Sequence, residues 1–494
     1  MPALLPLAKI SLWLTPVWLL ALGVAIGAAV VVLLWLVLWF VNRATASSVL
    51  RLVRESVLAP ISYVVIAYVT ILVVATPAVL KDRIVESIRR LGAVSDQAIS
   101  VTLDPRTENY EVPISFRSDE LRRYDFSSDQ DVIVSSEPDL TYSAPVAIVQ
   151  GGDEAYAWSL SSKSPRRFAG EVEAVYLTNE GDAPANVTMA FDTEVRVPEV
   201  HDLPIVAGSV VGLFLFYVLL HFFLPGVSNI ALATAKEASS QPLFLLFLGV
   251  GAVLLLVYII LPYNTFGEDV KILKQSGLET IMILAISFAV WTASVSVADE
   301  IDGKTALTLL SKPISRRQFV FGKFLGIVSA VAVIFVVLGA LLLTTVSYKV
   351  VYDARETSNP TPAWQECYGE MVQITPGLVL AFFETTALAA VSVAISTRLP
   401  MLPNLIICGS IYVLGHLTPL IAQSSVGELP FVQFFAKLFA VILPELDHFN
   451  IQAAVAAGQA VPFTYLAWAG LYCLAYCTFA LLLALILFED RDLA

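Results

Sequence analysis

Charge is scarce in this chain. Only 14% of its 494 residues are Asp, Glu, Lys or Arg, whereas 57% are hydrophobic and mean hydropathy is +0.78. That balance excludes an ordinary soluble globule and defines a polytopic membrane protein. Cysteine is equally rare. Cys367, Cys408, Cys473 and Cys477 form no CxxC pair, and the last two lie one helical turn apart in an apolar run, so they read as small packers rather than metal ligands or a disulfide. A surplus of basic residues is also missing. The formal charge is −13, most of it from residues 81–203, where acids outnumber bases roughly two to one, and nucleic acid is therefore excluded as a partner.

A phosphate cradle is lacking too, although Gly303-Lys304-Thr305 spells the end of one. A P-loop needs its first glycine five residues earlier, where backbone N–H groups turn toward phosphate oxygens. Ala298 stands there, followed by Asp299, Glu300 and Asp302, whose carboxylates would repel phosphate. The preceding segment, 278–298, is a long apolar run rather than a strand. The chain therefore binds no nucleotide at this point, and the charged island needs another explanation.

What is present is a series of long apolar runs, near 12–40, 58–80, 204–224, 242–262, 278–298, 321–347, 373–397, 402–423 and 461–488. Each is long enough to cross about 30 Å of hydrocarbon, which predicts about nine transmembrane helices. The first run is too long for the apolar region of a signal peptide and reads as an anchor; whether it makes one span or two stays open. Arg43, Arg51 and Arg54, then Lys304, Lys312, Arg316 and Arg317, then Arg398 occupy alternate loops. Basic short loops face the cytoplasm, so the N-terminus is expected outside and the C-terminus inside. Loops 263–277, 348–372 and 424–460 then fall outside with 81–203.

Residues 81–203 are a different material. Short β-branched or alternating runs such as YEVPISF, DVIVSS, GEVEAVYLTN and VTMAFDTEV, separated by turn residues, predict an extracytoplasmic β-rich, sandwich-like domain inserted in the helical chain. Its carboxylates are spread rather than paired, so a solvated acidic surface is the plain reading and no metal or catalytic group is assigned. Asn186-Val187-Thr188 fits a glycosylation acceptor, relevant only in a eukaryotic secretory setting. Residues 226–242 mix small, apolar and polar residues and suggest a short helix along the cytoplasmic interface.

Around the island, a helix running on from Asp299-Glu300 is stopped by Pro313, and Ser315 with Gln318 forms a capping box that starts the next span. The segment 299–326 resembles the intracellular segment of ABC-2 type transporter permeases. The correspondence runs through Glu300, Gly303, Thr305, Leu309-Leu310-Ser311, Pro313, Ser315-Arg316 and Gly322-Lys323, and the likeness extends over 226–494. In those terms the chain divides into 1–80 (a pair of helices), 81–203 (the β-domain), 204–225 (one helix) and 226–494 (a permease core of six spans), with a re-entrant hairpin at 431–450.

The resemblance implies a membrane-spanning permease subunit, non-enzymatic, in the inner membrane of a prokaryote, and export by family habit is one expectation it carries. ATP and Mg would be bound by a separate ATPase subunit, with no cofactor in this chain. A second permease copy or paralogue would be a partner alongside membrane lipids. ATPase coupling would fall to Asp299, Glu300, Gly303, Lys304, Thr305, Leu309, Leu310, Ser311, Pro313, Ser315, Arg316 and Arg317. The plain alternative is that the charges only flank two spans at a headgroup surface.

Glu384 lies in mid-span, where an ionisable group is costly; it belongs either to a translocation path or to a protonated side chain making one interhelical hydrogen bond. His221 and His416, near span ends, read as packed or interfacial, and Glu445, Asp447 and His448 form no metal set. Two other classes stay open: a receptor or scaffold acting through the β-domain, and a secondary transporter, for which Glu384 has no matching partner in a repeat.

Overall fold

The computed structural model describes residues 4–79, 81–92, 94–138, 144–152, 155–160, 162, 168–261, 268–298, 300, 315–423, 431, 434 and 443–489, with side chains for all of these except 4–9, 418–423 and 453. The chain forms two compact units, one comprising Met1–Val79 with Leu203–Ala494 and the other Leu80–Asp202.

The first run is one helix, α1 (Leu4–Val41), which passes through Pro16 without interruption. At 1.5 Å per residue it is about 57 Å long, nearly twice the hydrocarbon thickness, so it fits one tilted or protruding span. Next comes α2 (Arg43–Glu55), capped by Asn42, whose side chain accepts from the N–H groups of Ala44 and Thr45. Its buried residues Ala46, Val49 and Leu52 fall on one face, with Arg43, Arg54 and Leu50 exposed, a surface-helix pattern. The helix α3 (Leu58–Ala75) completes the N-terminal group.

The inserted unit opens with α4 (Lys81–Arg90), which the sequence reading did not anticipate. Eight strands follow: β1 (Gln97–Leu103), β2 (Tyr110–Arg117), β3 (Leu121–Ser128), β4 (Val132–Ser135), β5 (Ala147–Val149), β6 (Tyr156–Ser159), β7 (Glu171–Asn179) and β8 (Ala185–Thr193). They pair antiparallel in two four-stranded sheets, β1-β8-β3-β6 and β2-β7-β4-β5. One core joins the inner faces of both: Phe116 and Leu177 from one sheet meet Tyr124, Phe126, Trp158 and Phe191 from the other. That is the expected sandwich.

Arg122, Arg123 and Asp125 disguised β3 in the sequence, yet its inward positions Leu121, Tyr124, Phe126 and Ser128 are buried. Arg90 holds α4 to the start of this strand through a bidentate pair with the buried Glu120, and that contact raises the guanidinium above its ordinary pKa. On the exposed face, Asp129 accepts from both the backbone N–H and the side-chain amide of Asn186. These donors lower its pKa and also occupy the nitrogen a glycan would need. A lowered carboxyl contributes stability above its unfolded value, about 3.9, which is lost only as pH falls through the folded value. In a pH titration by NMR, Asp129 of the wild type should therefore titrate below the same carboxyl in Asn186→Ala.

The rest of the membrane unit is α5 (Leu203–Phe223), α6 (Pro225–Ser240), α7 (Pro242–Ile260), α8 (Asp269–Ala293), α9 (Arg316–Glu356), α10 (Trp364–Val372), α11 (Thr375–Ser396), α12 (Met401–Gln423), α13 (Gln452–Ala456) and α14 (Phe463–Glu489). Among the described residues eight helices are long and apolar enough to cross a membrane, and Met401–Leu417 within α12 is a further, shorter apolar helix. The chain is a multi-pass α-helical membrane protein with an inserted β-domain. Three boundaries differ from expectation. Residues 269–277, read as outer loop, belong to α8, and 348–356 continue α9, because the charges that resembled loop residues are buried and paired within the helices. Residues 364–372 of the same expected loop fold as α10. Only scattered parts of the expected hairpin at 431–450 lie among the described residues.

Among the described residues, the spans that contain α8, α9 and α11 are the most deeply buried of this unit. Gly23 and Gly27 let α1 approach α5 so closely that a Cβ would meet Val206 and the Ala207 carbonyl at 2.8 Å. The N-terminal helices fasten onto α9, where Ser347 Oγ donates to the Trp13 carbonyl at 2.8 Å and Tyr68 Oη to the Ala340 carbonyl at 3.2 Å.

The segment read as an interfacial helix is indeed helical, as α6, but its small residues Ser228, Ala231, Thr234, Ala235 and Ala238 are buried. They meet α9 at Gly322 and Gly326, where an added Cβ would lie 2.6 Å from Ile230 and Thr234. We therefore expect Gly326→Leu to force α6 off α9 at a cost of about 1–3 kcal/mol, read as a lower unfolding midpoint in detergent.

Candidate functional site

The described part of the charged island is Glu300 together with Ser315, Arg316 and Arg317; Asp299, Gly303, Lys304, Thr305, Leu309, Leu310, Ser311 and Pro313 lie outside the described residues. Both roots of the segment are tied down. At its near root, Glu300 Oε1 accepts from Lys323 Nζ at 2.6 Å, and that ammonium is almost wholly buried in α9, close to the Phe319 ring. At its far root the capping box is present as expected: Gln318 N–H donates to Ser315 Oγ at 3.2 Å, and Ser315 N–H to Gln318 Oε1 at 3.0 Å.

Arg316 does not project outward. Its Nη1 donates to the carbonyls of Phe488 and Glu489 at 3.4 and 2.8 Å, and its guanidinium packs on the Phe488 ring. It thus satisfies the terminal carbonyls of α14, whose partial negative charge suits a cation. Arg317 is exposed.

Behind Glu300, α8 ends in a π turn, Ser294–Ala298. Such a turn widens the helix and frees backbone groups, and it recurs at functional positions. This one is held by a buried polar cluster: the Asn404 amide nitrogen lies 2.8, 2.8 and 2.9 Å from the hydroxyls of Ser294, Ser392 and Ser396, and Asn404 Oδ1 accepts from the Cys408 thiol. An amide has two hydrogens, so the three hydroxyls share them. Ser392 and Ser396 at helical spacing, with Asn404 after a proline, were the visible signal, although the sequence reading did not use it.

A second ion pair, also missed, lies at the other end of the same two helices. Lys349 Nζ, fully buried in α9, donates to the Ile259 carbonyl at 3.1 Å and to Asp269 Oδ2 at 3.4 Å. Asp269 starts α8 and Glu300 follows its end, whereas Lys323 is near the start of α9 and Lys349 near its end. The antiparallel pair is thus clamped at both ends. Lys274 of α8 adds a pair with Glu370 of α10 and a 3.3 Å bond to Gln373. Asp269, Asp353 and Glu356 bring carboxylate oxygens within 4.8 Å of one another, with the Lys349 ammonium already on Asp269.

Glu384 of α11 is fully buried, and among the described residues neither carboxylate oxygen has a hydrogen-bond partner; His416 Nε2 of α12 is 3.5 Å away. His221 is packed as expected. His221 Nδ1 meets Ser228 Oγ at 3.1 Å, joining α5 to α6, and His448 stands beside Glu445 at 3.5 Å. All four cysteines are free and buried, and Cys473 and Cys477 donate to carbonyls of α11.

Residues 236–415 match a family model described as ABC-2 family transporter protein. The matched segment runs from the end of α6 into α12 and contains both ends of the α8–α9 clamp, the π turn and Glu384. The match supports reading this membrane core as similar to ABC-2 type permeases. No curated protein matches the chain.

Removing one partner of the Glu300–Lys323 pair strands a buried charge, which costs about 3–5 kcal/mol, whereas replacing both with apolar residues of similar size is close to neutral. We expect Glu300→Ala to lower the unfolding midpoint in detergent markedly, and Glu300→Met with Lys323→Met to recover most of the loss.

Proposed function

We propose that this chain is the membrane-spanning subunit of an ABC exporter and that a separate ATPase, carrying ATP and Mg, engages the segment 299–323 from the cytoplasm. The observation that carries this reading is the α8–α9 clamp within the matched permease segment. A segment rooted on a rigid helix pair transmits a push to both helices at once, whereas one rooted on frayed ends would absorb it. Two permease subunits, identical or paralogous, would pair in the membrane of a prokaryotic cell, and closure of the ATPases would rock the spans between inward and outward states. The basic short loops support an outside N-terminus and an inside C-terminus.

The contacts within the chain support a division of labour among the expected coupling residues. Glu300, Ser315 and Arg316 are engaged within the chain and fix where the segment starts and ends. Direct contact with the ATPase then falls to the exposed Arg317 and to the stretch 301–314, with Lys304 as its first cation and Leu309 and Leu310 as its apolar seat.

Reversing Lys304 and Arg317 to Glu should weaken co-purification of the ATPase from nanodiscs about tenfold or more, equivalent to a loss of about 1.4 kcal/mol or more. The variant should insert and unfold like the wild type. Undiminished retention of the ATPase by that variant would place docking elsewhere on the chain.

A further inference from the structure

The pair formed by Glu384 and His416 has a proton inventory that its geometry fixes. His416 Nδ1 lies 3.0 Å from the carbonyl oxygen of Tyr412, one turn earlier on the same helix. A carbonyl only accepts, so Nδ1 carries a hydrogen, and in the neutral ring Nε2 is then a bare acceptor. That lone pair points toward Glu384 Oε1 at 3.5 Å. Beside that neutral ring, an ionised Glu384 would set a carboxylate against a lone pair with no donor to either oxygen among the described residues, and moving the proton to Nε2 would bury two charges in place of none. Burying an ion on those terms costs several kcal/mol, and a carboxyl so placed takes up a proton instead.

We propose that Glu384 and His416 form a proton-binding site between α11 and α12, in which the Glu384 carboxyl holds the proton and His416 Nε2 receives its hydrogen bond. The other titratable groups around it are few. On α12 there is Tyr412, within electrostatic reach of both Glu384 and Glu279 of α8. From α14 come Cys473 and Cys477, whose thiols donate to the carbonyls of Phe383 and Thr386, and the turn before α13 carries Asp447 and His448. Residues 324–347 of α9 contain no titratable side chain. Among the described residues, only His416 pairs with Glu384.

Occupancy of the site governs the spacing of two helices. With the proton present the pair is neutral and attractive; without it a carboxylate faces a lone pair, and α12 is pushed from α11 or water enters. Proton binding is thereby linked to the conformation of the core. The site belongs to this chain alone, so its test stands apart from the ATPase reading.

The test is infrared difference spectroscopy on the full chain in nanodiscs, comparing wild type with Glu384→Gln. At neutral pH the difference should contain the carbonyl band of one protonated carboxyl, replaced by carboxylate bands as pH is raised. His416→Phe should move that band to higher frequency by removing the acceptor, and Glu384→Asp, which keeps an acid in place, should retain a band at a shifted position. A difference spectrum with carboxylate bands alone at neutral pH would overturn the proposal. So would a band that His416→Phe leaves unmoved.

Discussion

The membrane core depends on the clamping of α8 against α9 by ion pairs at opposite ends, Asp269 with Lys349 and Glu300 with Lys323. Between these pairs the two helices meet through apolar side chains such as Leu278, Ile281, Ile334, Leu338 and Leu342, with Gly277 set against Leu342. Apolar packing between spans has little direction, since lipid tails offer similar contacts. Charges that would be stranded by any slip supply the register. A sliding movement of one helical turn would separate both pairs at once, so α8 and α9 move together or not at all.

Other elements are organised around that pair. Gly322 and Gly326 let α6 lie directly on the first turns of α9, and Arg316 ties those same turns to the end of α14. The Asn404 cluster joins the π turn at the end of α8 to α11 and α12. The roots of the 301–314 segment are therefore connected through short polar contacts to most of the core. On the far side of α9, α1 and α3 add hydrogen bonds to Trp13 and from Tyr68, so the N-terminal helices belong to the same unit rather than serving as a tether.

Much of this was legible in the sequence, for reasons that differ by element. The spans were visible because hydrocarbon demands long apolar runs, and the Ser315 capping box because it is local chemistry at fixed spacing. Seven strands showed by alternation, while β3 did not, since Arg122, Arg123 and Asp125 occupy its outward and edge positions and dilute the pattern. The start of α8 and the end of α9 were misplaced because Asp269, Lys274 and Lys349 look like loop residues until their partners, 80 or more residues away, are known. For the same reason Arg316 looked like a docking residue: nothing local announces that its partners are the carbonyls that end α14. Glu384 was conspicuous as a buried acid, but its partner His416 could be assigned only once α11 and α12 were seen side by side.

If a separate ATPase drives the spans through the segment 299–323, as proposed, the Glu300–Lys323 pair must be closed for it to do so. The most direct measurement is the ATPase rate of the reconstituted complex for Glu300→Lys, for Lys323→Glu and for the two reversals combined. Each single reversal should lose stimulation by the permease, and the combined variant, which restores an ion pair of opposite polarity, should recover it. Full stimulation in either single variant, or none in a folded and assembled combined variant, would contradict the account.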